Sequence, residues 1–202
     1  MSKAKINKIS MTTLSLLFFL LSGSAFSAVH FSLQGSSSTS DVGLQSYNKN
    51  AISMSVAFDL GSHFRLGLTH REENNTQEGY VLNTADSAYY LKNQKMLITS
   101  NSIDLTLIIY YGKIVVPFIQ GGAIIKDYAV TDTIAGLSSS SSIQSPPVPN
   151  AGIGTNIVLN RNFSLKLSYN VSPGYKIADP TDQDQIEAVW DSYTSIGVTY
   201  KL

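Results

Sequence analysis

The sequence predicts an all-β fold, an eight-stranded antiparallel up-and-down transmembrane β-barrel. Three observations predict it. Apolar and polar residues alternate in segment after segment with period two, the period of a strand whose successive side chains point to opposite faces. The chain is 43% hydrophobic but only 14% charged, against about 25% charged residues in an ordinary soluble domain. Beyond the N-terminal region, no apolar run approaches the roughly 20 residues of a spanning helix. Apolar residues that are plentiful yet never contiguous suit strands with one face toward lipid.

The N-terminus carries a different signal. Lys3, Lys5 and Lys8 precede an uncharged apolar run, Met11 to Leu21, and then the mostly small residues Ser22 to Ala28. Charge, apolar core and small residues in that order form a secretory signal peptide. Small residues at Ala25 and Ser27 favour cleavage after Ser27, with Ala25 and Ala28 as competing sites. The expected organisation is therefore a cleaved signal peptide over 1–27 and a barrel over 28–202.

Each strand is justified by its own pattern. Near the mature N-terminus, Val29, Phe31 and Leu33 alternate with His30, Ser32 and Gln34. In 51–60, Ile52, Met54, Val56, Phe58 and Leu60 share one face, opposite Ser53, Ser55, Ala57 and Asp59. Gly61 to His63 reads as a three-residue turn. The return strand places Phe64, Leu66 and Leu68 on one face and Arg65, Gly67, Thr69 and Arg71 on the other. In that register Leu60 meets Phe64, Asp59 meets Arg65 and Phe58 meets Leu66, and a one-residue slip would destroy every match.

The second hairpin sets Ile103, Leu105, Leu107, Ile109 and Tyr111 against Asp104 and Thr106 on the opposite face. Gly112-Lys113 is the expected turn, with Ile114, Val116 and Phe118 continuing the apolar face. Gly121-Gly122 suggests a bulge. The third hairpin runs through Ala151 to Leu159, turns at Asn160 to Asn162, and returns through Phe163 to Val171, facing Asn156 to Lys166. Ser195 to Leu202 alternates again and closes the set. Three hairpins and two end strands make eight, so the ends can pair and abolish the sheet edges.

Connections alternate between short and long. The short ones are the three turns; the long ones are expected at about 36–50, 73–101, 131–149 and 177–185. All long connections then lie at one end, as the extracellular loops of outer-membrane barrels do. Aromatic residues gather toward both ends: Phe58, Phe64, Tyr111, Phe118, Phe163 and Tyr200 at the short-turn end, and Tyr128, Tyr169, Tyr175, Trp190 and Tyr193 at the other. That placement suits two interfacial girdles.

The chain resembles the small eight-stranded outer membrane β-barrel family, the OmpX-like and OmpW-like barrels. The resemblance rests on the signal peptide, Pro117 to Ala123, Asn150 to Gly154 and the alternating C-terminal strand. It implies a location in the bacterial outer membrane and assembly by the barrel assembly machinery through the last strand. The family commonly ends in an aromatic residue, whereas this chain ends Tyr200-Lys201-Leu202.

An eight-stranded interior is only wide enough for side chains to fill. The residues expected inside form a polar lumen network of Asp59, Arg65, Arg71, Asp104, Lys166 and Lys201, whose mixed signs suit a plugged lumen because buried charges need partners. The expected role is structural or surface-interacting. Alternatives are passage of small hydrophobic molecules, which the OmpW-like resemblance implies, a lipid-modifying enzyme, and a soluble lipocalin-like binder. An enzyme would need a nucleophile, base and acid together. His70 lies on the apolar face while Ser53 and Ser55 point inward, so no triad forms. With no Cys and a formal net charge of +0, no disulfide, thiolate metal site or nucleic-acid partner is expected. Outer-membrane lipid is the expected environment, with no cofactor, no catalytic or metal residues, and a monomeric state.

Overall fold

The computed structural model describes residues 26–42, 45–83, 88–109, 114–177 and 186–202. The expected signal peptide falls almost wholly outside them, as do Tyr111 and the Gly112-Lys113 turn. The strands are β1 (Phe26–Val42), β2 (Gln45–Leu60), β3 (Phe64–Asn83), β4 (Ala88–Ile108), β5 (Val115–Ile134), β6 (Leu137–Gln144), β7 (Val148–Val158), β8 (Phe163–Ile177) and β9 (Ile186–Lys201). All pairings are antiparallel. β1 pairs with β9, and the sheet closes on itself.

Nine strands form an eight-stranded barrel because β6 and β7 occupy one column. β5 pairs with β6 from Asp127↔Gln144 to Ile134↔Leu137, and with β7 from Val115↔Ile157 to Ile124↔Val148. Two residues of β5, Ile125 and Lys126, thus stand against three, Ser145 to Pro147. This is a one-residue bulge. Ser145 anchors it: its N–H donates to the Lys126 carbonyl at 2.8 Å, and its Oγ accepts from the Lys126 N–H at 2.9 Å. The bulge expected at Gly121-Gly122 is absent, since Gly121↔Leu105 and Gly122↔Asp104 are ordinary rungs. Gly122 instead makes room for Asp104. A Cβ there would lie 2.0 Å from the Ile103 carbonyl oxygen and 2.9 Å from the Asp104 carboxylate.

The first and third hairpins have the expected register. Asp59 faces Arg65, Leu60 faces Phe64, and Asn156 faces Lys166. The second is offset by one. Leu107 pairs with Ile119, and the Ile109 N–H donates to the Pro117 carbonyl. A two-residue turn at Gly112-Lys113 would have paired Leu107 with Phe118. One residue of offset exchanges the faces of a strand, so Val116 and Phe118 turn into the lumen and Val115, Ile119 and Ile125 turn outward. Phe118 is only 2% exposed. Its ring lies over Gly154, where a Cβ would come within 2.5 Å of Cζ.

Most of the expected long loops are strand. Pairing continues to Val42↔Gln45, Asn83↔Ala88 and Ile134↔Leu137. Ala135 and Gly136 make the last turn with φ of 52° and 83°, the two positive values of a type I′ hairpin. These extensions escape the alternation test for a physical reason. Above the apolar band neither face of the strands meets lipid, so the ladder persists while the apolar period disappears.

The outer surface carries the apolar band. Ile52, Met54, Leu68, Ile103, Leu105, Ile119, Ile153, Ile196 and Val198 are exposed on it. On β2 it runs from Ile52 to Leu60, about the 9–11 residues a strand needs to cross a bilayer. The girdles are thinner than expected. Phe64, Phe163 and Tyr200 are exposed near the short turns, with Phe163 and Tyr200 ring centroids 5.0 Å apart. Tyr169 and Trp190 are exposed toward the other end. Phe118 and Tyr128 are buried inside instead, because β5 has the opposite phase.

A charge on the outer face should cost more than one beside it on the inner face. Val56, which pairs with Phe31 and Leu68, faces outward, and Ser55 faces in. Val56→Arg should destabilise by about 2–4 kcal/mol near the midplane, and Ser55→Arg by less. Denaturant titration after folding into lipid vesicles measures both; equal losses would contradict the assignment of faces.

Candidate functional site

The inward side chains form two ionic clusters separated by a layer made mostly of amides and hydroxyls. At the short-turn end, β2 and β3 bring Asp59 and Arg65 together across the Gly61 turn. The Arg65 Nε donates to Asp59 Oδ1 at 2.7 Å, and His30 Nε2 on β1 donates to Oδ2 at 2.9 Å. Asp59 is only 3% exposed, so these donors offset a desolvation that would otherwise be severe. Lys201 lies opposite His30 on β9 and is exposed at the mouth. A pocket of about 180 Å³ opens there, lined by His30, Arg65 and Lys201.

The middle layer is held by amides and hydroxyls. Ser195 and Ser168 donate to Gln34 Oε1 at 2.8 and 3.2 Å. Gln120 donates to Asn170 at 2.8 Å. Asp104 accepts from Asn150 at 2.6 Å and from Ser102 at 2.7 Å. Lys166 stands 5.3 Å from the centre of the Phe118 ring, a cation over an aromatic face. This layer leaves about 50 Å³ of free internal space, room for a few water molecules.

The other end holds the larger cluster. Lys49 donates to Asp191 at 2.8 Å and pairs with Glu73 at 3.1 Å. Lys126 donates to the other Asp191 oxygen at 3.2 Å. Arg71 donates to Glu73 at 2.8 Å, and its guanidinium lies 3.7 Å from the centre of the Tyr193 ring. Four strands thus meet through side chains: β2, β3 and β5 supply cations, and β3 and β9 supply carboxylates.

Of the expected lumen residues, the structure joins Asp59 with Arg65 and sets Arg71 in a different cluster. Asp104 and Lys166 lie in the middle layer and Lys201 at the mouth beside His30 and Arg65, and none of the three makes an ion pair among the described residues. Sequence reasoning missed Lys49, Glu73, Lys126 and Asp191. Lys49 and Glu73 fall in segments that read as loops, although they share parity with Ala51 and Arg71. Extending β2 and β3 by two residues would have turned both inward. Lys126 depended on the β5 register.

A closed antiparallel barrel of eight strands, apolar outside and ionic within, defines the class: this chain has the fold of the small outer-membrane β-barrels. Neisserial surface protein A matches it with a TM-score of 0.56 at 14% identity, over 86% of this chain and 97% of that one. The N-terminal β-barrel domain of Pseudomonas aeruginosa OprF matches at 0.49 with 14% identity, over 87% and 97%. Ail, the attachment invasion locus protein of Yersinia pestis, matches at 0.48 with 14% identity, over the same shares. No family model and no curated protein sequence matches the chain.

Removing Asp59 should strand two donors. Asp59→Ala should cost on the order of 3–5 kcal/mol where the site is dry, and less to the extent that Arg65 reaches water at the mouth. The double variant Asp59→Ala with Arg65→Ala should be less destabilised than the sum of the two single changes. Strict additivity in denaturant titrations would show that the pair is not coupled.

Proposed function

We propose that the chain is an outer-membrane surface-interaction protein with a plugged lumen, whose working part is the sheet standing above the membrane. The carrying observation is the free edge of β6. Its eight residues, Leu137–Gln144, pair with β5 alone among the described residues. Exposed edges are ordinarily blunted by lysine, proline or inward-pointing charge, yet this one reads Leu-Ser-Ser-Ser-Ser-Ser-Ile-Gln, with no charge and no proline. Such an edge can accept an extended segment of another protein through main-chain hydrogen bonds.

Several observations support this reading over its alternatives. The free internal space of about 50 Å³ favours a plug over a route for small hydrophobic molecules. The apolar band faces outward, opposite to what a soluble lipocalin-like binder requires. The role is a binding one and not catalytic. His70, the residue nearest to serving as a base, holds Asn101 at 2.9 Å and Glu72 at 3.6 Å on the outer face, away from the inward Ser53 and Ser55. Outer-membrane lipid surrounds the band, the barrel assembly machinery receives the last strand, and the protein acts as a monomer.

The mature protein should enter the outer-membrane fraction, require detergent, and migrate differently on gels before and after heating. Proteinase K added to intact cells should cut at Ala135-Gly136; cleavage only at Gly61 to His63 would mean reversed orientation. Against peptides selected from a random displayed library on the folded barrel, Ser140→Pro and Ser141→Pro, made singly, should between them weaken binding about tenfold, or 1.4 kcal/mol. Unchanged binding to both would reject the β6 edge while leaving the location test standing.

A further inference from the structure

The barrel wall is continuous only in its lower part. β1 and β9 pair from His30↔Lys201 to Gly35↔Ile196 and no further. β7 and β8 pair from Val158↔Ser164 to Ala151↔Val171 and no further. Above these rungs, β8 and β9 pair only with each other, from Ser172↔Asp191 to Ile177↔Ile186. The upper β8–β9 hairpin therefore stands between two seams, with no backbone pairing to either neighbour among the described residues.

Both seams have visible causes or consequences. Continuing the β7–β8 register by two residues would set Pro149 opposite Pro173, and neither has an N–H to donate. At the foot of the β1–β9 seam is a groove of about 490 Å³, bordered by Gly35, Ile52 and Ile196.

Side chains bridge what the backbone leaves open. Asp191 reaches Lys49 on β2 past the β1–β9 seam, at 2.8 Å, and Lys126 on β5 past the β7–β8 seam, at 3.2 Å. One carboxylate thus spans both gaps, and Tyr193 under Arg71 adds a cation–π contact on the same strand. The Lys49 and Asp191 side chains are 24% and 23% exposed, so dissolved ions can reach them.

We propose that the upper β8–β9 hairpin is a flap hinged at the last paired rungs and latched shut by Asp191 between Lys49 and Lys126, and that screening or removal of this carboxylate releases it sideways. Release uncovers the charged upper lumen and frees the facing edges of β1 and β9.

The chain has no cysteine, so labels can be placed cleanly. Thr39→Cys on β1 and Trp190→Cys on the hairpin lie across the seam from each other, two residues out of the continued β1–β9 register, and both native side chains are exposed. Spin labels there, in the full mature chain in lipid nanodiscs, should give one short, narrow distance at low salt. Asp191→Asn should broaden and lengthen it by at least one strand spacing, about 5 Å. Salt at about 1 M, where the Debye length falls to about 3 Å, should do the same to the parent and add little to the variant. A second pair on paired rungs, Leu33→Cys with Val198→Cys, should not move. If neither Asp191→Asn nor salt shifts the upper pair, or if both pairs move alike, the flap is overturned. Should Asp191→Asn fail to insert, Lys49→Gln and the salt titration of the parent carry the same two outcomes.

Discussion

Everything in this molecule depends on closing the backbone ladder. In hydrocarbon no water satisfies a free N–H or carbonyl, so a sheet that crosses lipid must have no edge. The six rungs between β1 and β9 meet that requirement. Closure then imposes parity. Each residue of the span faces either lipid or lumen, and each turn must contain the number of residues that keeps both flanking strands in phase. The second hairpin shows how sharp this is: one residue of register decides whether Phe118 meets lipid or fills the lumen above Gly154.

Closure also creates the interior problem. Eight strands enclose a space too narrow for bulk water, yet the chain places Asp59, Glu73, Asp104, Lys126, Lys166 and Arg71 there. The structure resolves it by giving these carboxylates local donors. Asp59 is met by His30 and Arg65. Glu73 and Asp191 are met by Lys49, Arg71 and Lys126. Asp104 is held by neutral donors. Glycine at 122, 152, 154 and 197 thins the wall opposite the larger inward groups. The interior is therefore filled by charge partners and backbone clearance together.

What was legible in the sequence follows from the same physics. The hairpins around Gly61 and Asn160 were legible because one face meets lipid throughout, which stamps period two on the residues. The extensions to Val42, Asn83 and Ile134 were not, because a strand with no face toward lipid carries no such stamp. The candidate site was legible only where it lay inside the stamped segments. Asp59 and Arg65 could be paired by counting from the turn, while Lys49, Glu73 and Asp191 lie just past the point where alternation fades. The β5 phase is not legible because the apolar content of Val116 and Phe118 looks alike on either face, so only turn length could decide it.

The division between a stamped lower barrel and an unstamped upper sheet is also a division of physical constraint. Below the Gly35↔Ile196 and Ala151↔Val171 rungs, an unpaired backbone group would face hydrocarbon, and the wall cannot open. Above them water satisfies any group that loses its partner, so an edge such as β6 and a gap such as the one beside Pro149 and Pro173 cost little. Side-chain ion pairs, too weak to replace a ladder within lipid, are strong enough to hold a hairpin in place there. The seams therefore lie where water can replace the ladder, and Asp191 stands just above both.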